Sequence, residues 1–451
     1  MAVFCPSFVN VLSMTVTADP GLMRRLNKAL VLNVLRTQGP ISRADLSRLT
    51  HLSRSTISAI AQDLLDEHMI TDMGEGSSSG GRPPMLLSFN WDAALVAGIE
   101  LGASHITLLL TNLAPTVIIR FVAPFSIGAG PEAGMEAVSA ALNTALQQAV
   151  NDFGKEMRFV GAGVGVPGPV DWLNGSVVAP PIMPGWDCFP FRQRLSEHLG
   201  APVYLDNDAN LGALGEYWYG AGQGVQALAF VKVGTGVGCG FLINGQVYRG
   251  ENGFAGEIGH VTVMENGPPC KCGSYGCLEA VAGGDALAHQ VRLALLAGHR
   301  SSLSMVADPN TITTREVAYA AAHGDSLALQ TFQNAGRLLG IAIADMINLF
   351  NPGRVLIGGG VSQAADLLLD PLRQTVNARA MHASAQAAHI MPAALGGDAV
   401  ALGAVAMVLQ AILQGPAIEV GGPEQLADLR RNNLVDPAVC QPADCLVVNA
   451  S

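Results

Sequence analysis

Three cysteines within eight positions, Cys270, Cys272 and Cys277 in the stretch CKCGSYGC, constrain this chain more than any other feature. His260 stands ten residues ahead of the first of them. Thiolate and imidazole are ligands that zinc prefers, and four of them close a tetrahedral shell. A Cys3His set with no further donor in view predicts a structural Zn2+ site rather than a hydrolytic one. Gly273 and Gly276 supply turns that a side chain would obstruct. A chance cluster of buried cysteines is the competing reading, and the upstream histidine and the glycines argue against it. Glu257 and Glu279 bracket the cluster, so the metal is expected to shape a polar site beside it.

At roughly 100–200 residues per domain, 451 residues make two to four domains. A hydrophobic share of 49% excludes a disordered chain. No apolar run reaches about 18 residues without charge or repeated glycine, and no membrane partner is expected. Residues 399–413 come closest and read as a buried helix. The first twenty residues lack the basic start of a secretory signal and read as a loose extension, with Met14 as a possible start of translation. The remaining cysteines are scattered, which fits a reducing cytoplasm rather than a disulfide framework. Cys440 and Cys445 lie in a polar tail and could pair, but nothing requires it.

The net charge of −11 argues against nucleic acid until its distribution is read. Between Gly21 and Ile60 there are seven basic residues and one acid, Asp45, so that segment carries +6 and the remainder −17. A basic module on an acidic body is expected where one part alone touches phosphates. Leu26, Leu30, Val31, Val34 and Leu35 mark the inner face of a first helix, which Gly39-Pro40 stops. Ser42 caps a second helix, with Asp45 completing a capping box and Leu46 and Leu49 facing inward. After a short turn, Ser53 caps a third helix with Ile57, Ile60, Ala61, Leu64 and Leu65 inside. This is helix-turn-helix grammar. Arg43, Arg54, Ser55, Thr56 and Ser58 are the candidate DNA contacts. Residues 69–71, the loop GEGSSSGGRPP and residues 85–89 read as a wing, with Arg82 at its tip reaching a minor groove or a phosphate. A small bundle used for dimerisation is the bland alternative, and the charge asymmetry argues against it.

From Trp91 onward the pattern becomes α/β. Strands are expected at 95–99, 106–110, 121–125, 159–166 and 203–205, and again at 227–233, 238–243 and 354–357. Helices fill 135–150, 191–199, a block from 283 to 349, and 399–410. The first strands of each set form a hairpin around a glycine-bearing turn, which predicts a duplicated architecture with a cleft between two α/β halves. Asp206-Asn207-Asp208 ends a strand where ligands are usually met. Asn207 and Asp208 offer the donors and acceptors that vicinal sugar hydroxyls need, and Asp208 is placed to act as a base on a hydroxyl. The alternative is an Asx turn capping the next helix, a task expected of one of the two acids. Gly234-Thr235-Gly236 reads as an anion-approaching turn or a plain hairpin turn. Gly358-Gly359-Gly360 reads as packing over an adenine or a strand-to-helix bend.

GAGVGVPGPVD (161–171), PGWDCFPF (184–191), LDNDANLGALGE (205–216), VGTGVGCGFLINGQVYRGENGFAGEIGH (233–260), CKCGSYGCLEA (270–280) and NPGRVLIGGGV (351–361) together resemble the ROK family of sugar kinases and sugar-responsive repressors. The likeness covers about residues 91 to 412. It implies an actin-like (ribonuclease H-like) two-domain ATPase fold, here preceded by a winged helix-turn-helix. The resemblance implies zinc on His260, Cys270, Cys272 and Cys277, and sugar contacts from Asn207, Asp208, Glu257, His260 and Glu279. Asp208 matches the catalytic base of the kinase members. The expected divisions are an extension at 1–20, a DNA-binding domain at 21–90, a first α/β domain at 91–206 completed by helix 399–412, a second at 207–398 with the zinc knuckle, and a tail at 415–451. Kinase members carry an aspartate and Gly-Gly-Thr-Lys in the first hairpin for ATP phosphates and magnesium. Here Glu100 to His105 reads ELGASH, with Leu101 in place of a glycine and Ser104-His105 in place of Thr-Lys. A bulky Leu101 is expected to block a phosphate. The glycine turns at 234–236 and 358–360 are then vestigial, and neither ATP nor Mg2+ is an expected cofactor. The expected function is a sugar- or sugar-phosphate-controlled repressor, a homodimer or homotetramer on a double-stranded operator. The alternative is an ATP-dependent sugar kinase or a bifunctional kinase-regulator.

Overall fold

A computed structural model describes residues 20–76, 83–154, 157–178, 180, 182–361 and 365–413. The expected N-terminal extension, the wing tip with Arg82, and the tail after 415 lie outside the described residues. The chain forms two compact units, one built, among the described residues, on 20–63, 72–76, 83–88 and 411–413 and the other on 64–71 and 89–410.

The N-terminal segment contains helix α1 (Pro20–Gln38), strand β1 (Ile41–Ser42), α2 (Arg43–Thr50), α3 (Arg54–Asp66), β2 (Ile70–Glu75) and β3 (Met85–Phe89). The sheet order is β1-β3-β2, the wing of a winged helix-turn-helix. Ser42 caps α2 by accepting from the Asp45 amide, as its spacing predicts. The turn into α3 passes through His51 at φ 58°. Buried Ile57, Ile60, Ala61 and Leu64 form the inner face of α3. Two expected inner residues lie outside instead, Leu30 (41% exposed) and Leu49 (50%). The buried stripe of α1 runs through Ala29, Val31, Leu32 and Leu35, which turns Leu30 outward. In α2, Leu46 and Thr50 form the buried row, one helical turn apart.

The α/β body follows. Its first sheet uses β4 (Leu95–Leu101), β5 (His105–Thr111), β6 (Val117–Pro124), β7 (Phe159–Val166) and β10 (Val203–Asn207). A small β8 (Val170–Asp171) and β9 (Ser176–Val177) hairpin, α4 (Pro131–Phe153) and α5 (Phe191–Leu199) accompany it. Helix α6 (Asp208–Tyr219) leads to the second sheet, made of β11 (Ala227–Val233), β12 (Val237–Ile243), β13 (Gln246–Val247), β14 (Arg354–Gly358) and β15 (His389–Pro392). Helices α7 (Leu278–Ala282), α8 (Gly284–Leu296), α9 (Thr314–Ala322), α10 (Ser326–Phe350), α11 (Ala365–Arg379) and α12 (His382–Ala387) belong to this half, and α13 (Ala399–Leu413) ends the described chain.

The sheets have one topology used twice. The first is ordered β10-β7-β4-β5-β6 and the second β15-β14-β11-β12-β13. In each, the opening strand pairs antiparallel with the second and parallel with the fourth. The duplicated α/β architecture expected from the two glycine-turn hairpins is therefore present.

Helix α13 packs through small residues. A Cβ on Gly403 would come within 1.7 Å of the Leu211 carbonyl oxygen in α6, and one on Gly163 of β7 within 2.3 Å of the Ala404 carbonyl oxygen. Only glycine permits these approaches. Val400, Val405, Val408 and Leu409 of α13 are buried, each such side chain stabilising by about 1.5–3 kcal/mol. The window Gly396–Leu413 is apolar and long enough to cross a membrane, and 56% of it is buried inside the protein.

This packing predicts that Gly403→Val costs about 3 kcal/mol in urea unfolding. Gly397→Ala, whose Cβ meets nothing within 4 Å, should stay within about 0.5 kcal/mol of the parent chain. Equal stability of Gly403→Val and the parent would contradict the close approach.

Candidate functional site

A cleft of about 1480 Å³ opens in the α/β body, and Asn207, Asp208, Glu257, His260 and Glu279 all line it. The local chain explains their convergence. Strand β10 delivers Asn207 to its carboxyl end, where Asn207 Oδ1 caps α6 by accepting from the amides of Ala209 and Asn210. The cap is therefore the asparagine, not one of the flanking acids as expected, because its β-region backbone places the amide oxygen under the free N–H groups. Asn207 Nδ2 donates to the Gly168 carbonyl at 2.9 Å, fixing the Pro167-Gly168-Pro169 loop. Asp206 is committed elsewhere. Its carboxylate accepts from Asn210 Nδ2 at 3.0 Å and pairs with Arg249 at 2.5 Å, and Arg249 in turn stacks over Trp172.

Glu257 and Glu279 are neighbours in sequence of the predicted metal ligands. Glu257 precedes the short 3-10 turn Ile258–His260. Cys277 is the N-cap of α7, and Glu279 lies in that helix's first turn. Glu279 Oε2 accepts from the Val237 amide at 3.0 Å. Burial foremost, with the Glu279 and Asp208 carboxylates adding to it, pushes the Glu257 carboxyl above the ordinary range against the opposing pull of His260.

His260, Cys270, Cys272 and Cys277 bring their donor atoms within 4.8 Å of one another. His260 Nδ1 lies 3.7 Å from Cys270 Sγ, and the Cys272 and Cys277 sulfurs are 3.7 Å apart. Metal–sulfur bonds of about 2.3 Å and metal–nitrogen bonds of about 2.0 Å require donor separations of this order in a tetrahedron. The cluster can therefore hold a metal. The knuckle closes tightly: the Cys270 amide donates to the Ser274 carbonyl at 2.8 Å, and the Gly273 amide to the Cys270 carbonyl at 3.0 Å. Gly276, at φ 64°, touches the Met264 carbonyl so closely that a Cβ would overlap it. The second nitrogen of His260, Nε2, lies 3.9 Å from Glu257 Oε2. One imidazole thus faces the sulfurs with one nitrogen and the cleft carboxylate with the other.

Sequence reasoning did not single out the side chain at the cleft floor. Lys232 on β11 donates to Glu100 Oε1 at 2.6 Å and to Asp208 Oδ2 at 2.7 Å. Burial alone would lower the Lys232 pKa, but the Asp208 and Glu100 carboxylates outweigh it and hold the ammonium well above its ordinary range. Burial would likewise raise Glu100, yet Lys232 and, less strongly, His105 hold it down at about 2. Burial pushes Asp208 up, opposed by Lys232 and reinforced by the Glu100 charge. The signal was present in the sequence as one lysine inside the apolar strand ALAFVKV.

Leu101 does not act as expected. Its side chain is fully buried in the first-sheet core, because strand alternation sends Glu100 into the cleft and Leu101 away from it. Gly102, Ala103, Ser104 and His105 line that edge instead. Among the glycine turns, Gly234, Thr235 and Gly236 line the cleft together with Gly359 and Gly360. The Gly234 amide is spent on the Gly236 carbonyl, while the carbonyls of Gly234 and Thr235 accept from the start of α8. Gly358 packs flat on the Phe230 ring, a strand-end role.

In the winged module, Arg54, Ser55 and Ser58 are exposed and Arg43 and Thr56 half-buried. Ser53 Oγ lies 2.8 Å from both Ser55 Oγ and Thr56 Oγ1, tying the start of α3 together.

Comparison with known proteins places these features in context. The model of the ROK family matches residues 96–411. A putative xylose repressor from Caldicellulosiruptor sp. (strain Rt8B.4) is 35% identical over 88% of this chain and 98% of its own length. The crystal structure of a ROK family transcriptional regulator, a homologue of the Escherichia coli MLC protein, superposes with a TM-score of 0.74 at 29% identity, covering 87% of this chain and 97% of that one. A ROK family glucokinase from Streptomyces griseus, solved with glucose and AMPPNP, gives 0.61 at 29% identity over 70% of this chain and 99% of its own.

The donor geometry predicts that one equivalent of Co2+ per chain produces the visible bands of a tetrahedral thiolate site, and that Cys277→Ser abolishes them. Without metal, burial and then the neighbouring thiols push the Cys277 thiol up to about 12. Metal must displace that proton, so uptake should be tighter at about pH 8 than at about pH 6. Unchanged bands in the variant would rule the cluster out as the site.

Proposed function

The chain belongs to the ROK family, and from that premise we propose that it is a sugar-responsive transcriptional repressor acting on carbohydrate-metabolism genes in the cytoplasm. The observation that carries this reading is one of span: a repressor-named relative extends over 88% of the chain and 98% of itself, whereas the glucokinase accounts for 70%. The actin-like body shared with both is here joined to a winged helix-turn-helix.

In this reading α3 enters the major groove, with Arg54, Ser55, Thr56 and Ser58 near base edges and Arg43 and Arg82 on phosphate or a minor groove. A homodimer or homotetramer would match a two-fold operator whose half-sites lie about one DNA turn apart. The effector is a sugar or sugar phosphate. It is held by Asn207, Asp208, Glu257, His260 and Glu279, whose acceptors suit vicinal hydroxyls. Zn2+ on His260, Cys270, Cys272 and Cys277 is structural. It fixes the turn that carries Glu257 and the helix start that carries Glu279. The effector releases DNA by preferring the conformation that binds DNA poorly.

The test is a thermal-shift screen of a sugar panel, followed by operator release with each hit. Glu279→Gln should lose the shift and the release while keeping operator affinity. Arg54→Ala should weaken operator binding by about 1–3 kcal/mol if it reads a base, and binding by the parent chain should fall steeply with salt. A panel without a single hit, or DNA binding indifferent to salt, would sink the reading.

A further inference from the structure

Two carboxylates from separate segments converge at the floor of the cleft, and one side chain holds both. Glu100 comes from β4, Asp208 from the start of α6, and Lys232 from β11 of the other sheet. Their side chains are only 5%, 13% and 17% exposed. Buried carboxylate oxygens that meet at one point, in a cleft that water reaches, are the donor set a hard divalent cation takes, with waters completing its shell. In this chain the point of convergence is filled from within.

We propose that Lys232 is a resident cation. Its ammonium replaces a divalent metal ion between Glu100 and Asp208, ties the two sheets together at the cleft floor, and denies that place to a metal-bound nucleotide. The lysine ammonium is a compact point charge with directional donors, and two of these donors are spent on the two carboxylates at 2.6 and 2.7 Å. The other oxygen of Glu100 is faced by His105 Nε2 at 3.8 Å. An incoming divalent ion would compete for the same oxygens while lying beside a positive charge in a low-dielectric floor, where repulsion is strongest. The related glucokinase was solved in complex with glucose and AMPPNP, so a body of this fold can serve a nucleotide. Here the residues do not fit the metal that would accompany it. Lys232 also holds one oxygen of Asp208, making that carboxylate a fixed acceptor beside the proposed sugar. The inference deepens the sensor reading and rests on it for the purpose of the cleft. Metal uptake is read without sugar or DNA, so the two ideas fail separately.

The test uses the full-length chain loaded at its Cys/His cluster with Zn2+, titrated with Mn2+ and followed by electron paramagnetic resonance of the free ion. The parent chain should take up no Mn2+ at the cleft. Lys232→Gln, which removes the charge and shortens the side chain by one atom, should gain one Mn2+ at least tenfold more tightly, and adding Glu100→Gln should abolish the gain. Lys232→Ser serves as a second opening variant. A folded Lys232→Gln, with unchanged circular dichroism and zinc content, that gains nothing would overturn the proposal. So would a parent chain that takes up Mn2+ in a manner lost on Glu100→Gln, a result that decides the matter even if both lysine variants fail to fold.

Discussion

Four donor atoms meeting within 4.8 Å are the constraint on which the candidate site depends. His260 ends the turn that follows Glu257, and Cys277 stands at the N-cap position of the helix that carries Glu279. Neither segment has a long element of its own to hold it. The turn is a single 3-10 winding and α7 has five residues. Isolated segments this short are marginal, so a bond network closing the knuckle does the work that a long helix would do elsewhere. Burial raises the Cys277 and Cys270 thiols. Exchanging those protons for a metal links the order of the cleft wall to metal binding.

The floor of the cleft is held by charge. Lys232 reaches from the second sheet to Glu100 on the first sheet and to Asp208 at the start of α6. A buried ion pair contributes less to net stability than its attraction suggests, because both partners lose water, but removing one partner strands a charge at a cost of about 3–5 kcal/mol. A metal held at that cluster and the ion pair at the floor would together give the cleft a defined posture, which a sensor needs if ligand binding is to shift it.

Much of this was legible in the sequence where one residue type has one physical solution. The cysteine spacing located a cluster that could hold a metal. Strands 159–166 and 227–233 were bounded correctly, since apolar runs ending in glycine turns have few alternatives. Ser42 and Asp45 announced a helix start. What the sequence hid were facts about facing. Leu101 looked like an obstruction in the cleft, although strand alternation buries it in the first core. The cap of α6 fell to Asn207 rather than to an acid, and Asp206 was drawn away by Arg249, 43 residues later. Lys232 stood in plain sight, but its partners lie 132 and 24 residues away, and no local pattern encodes such pairings.

The central claim is that sugar binding in the cleft and operator binding by the winged module are coupled. Thermodynamic linkage makes that coupling reciprocal. The direct measurement is the affinity of the zinc-loaded chain for an operator fragment with and without a saturating sugar identified by screening, together with its affinity for that sugar with and without the operator. The account predicts that sugar weakens operator binding by some factor, between about 5 and 150 for typical couplings, and that operator weakens sugar binding by the same factor. Sugar and operator affinities that are each indifferent to the other ligand would contradict it.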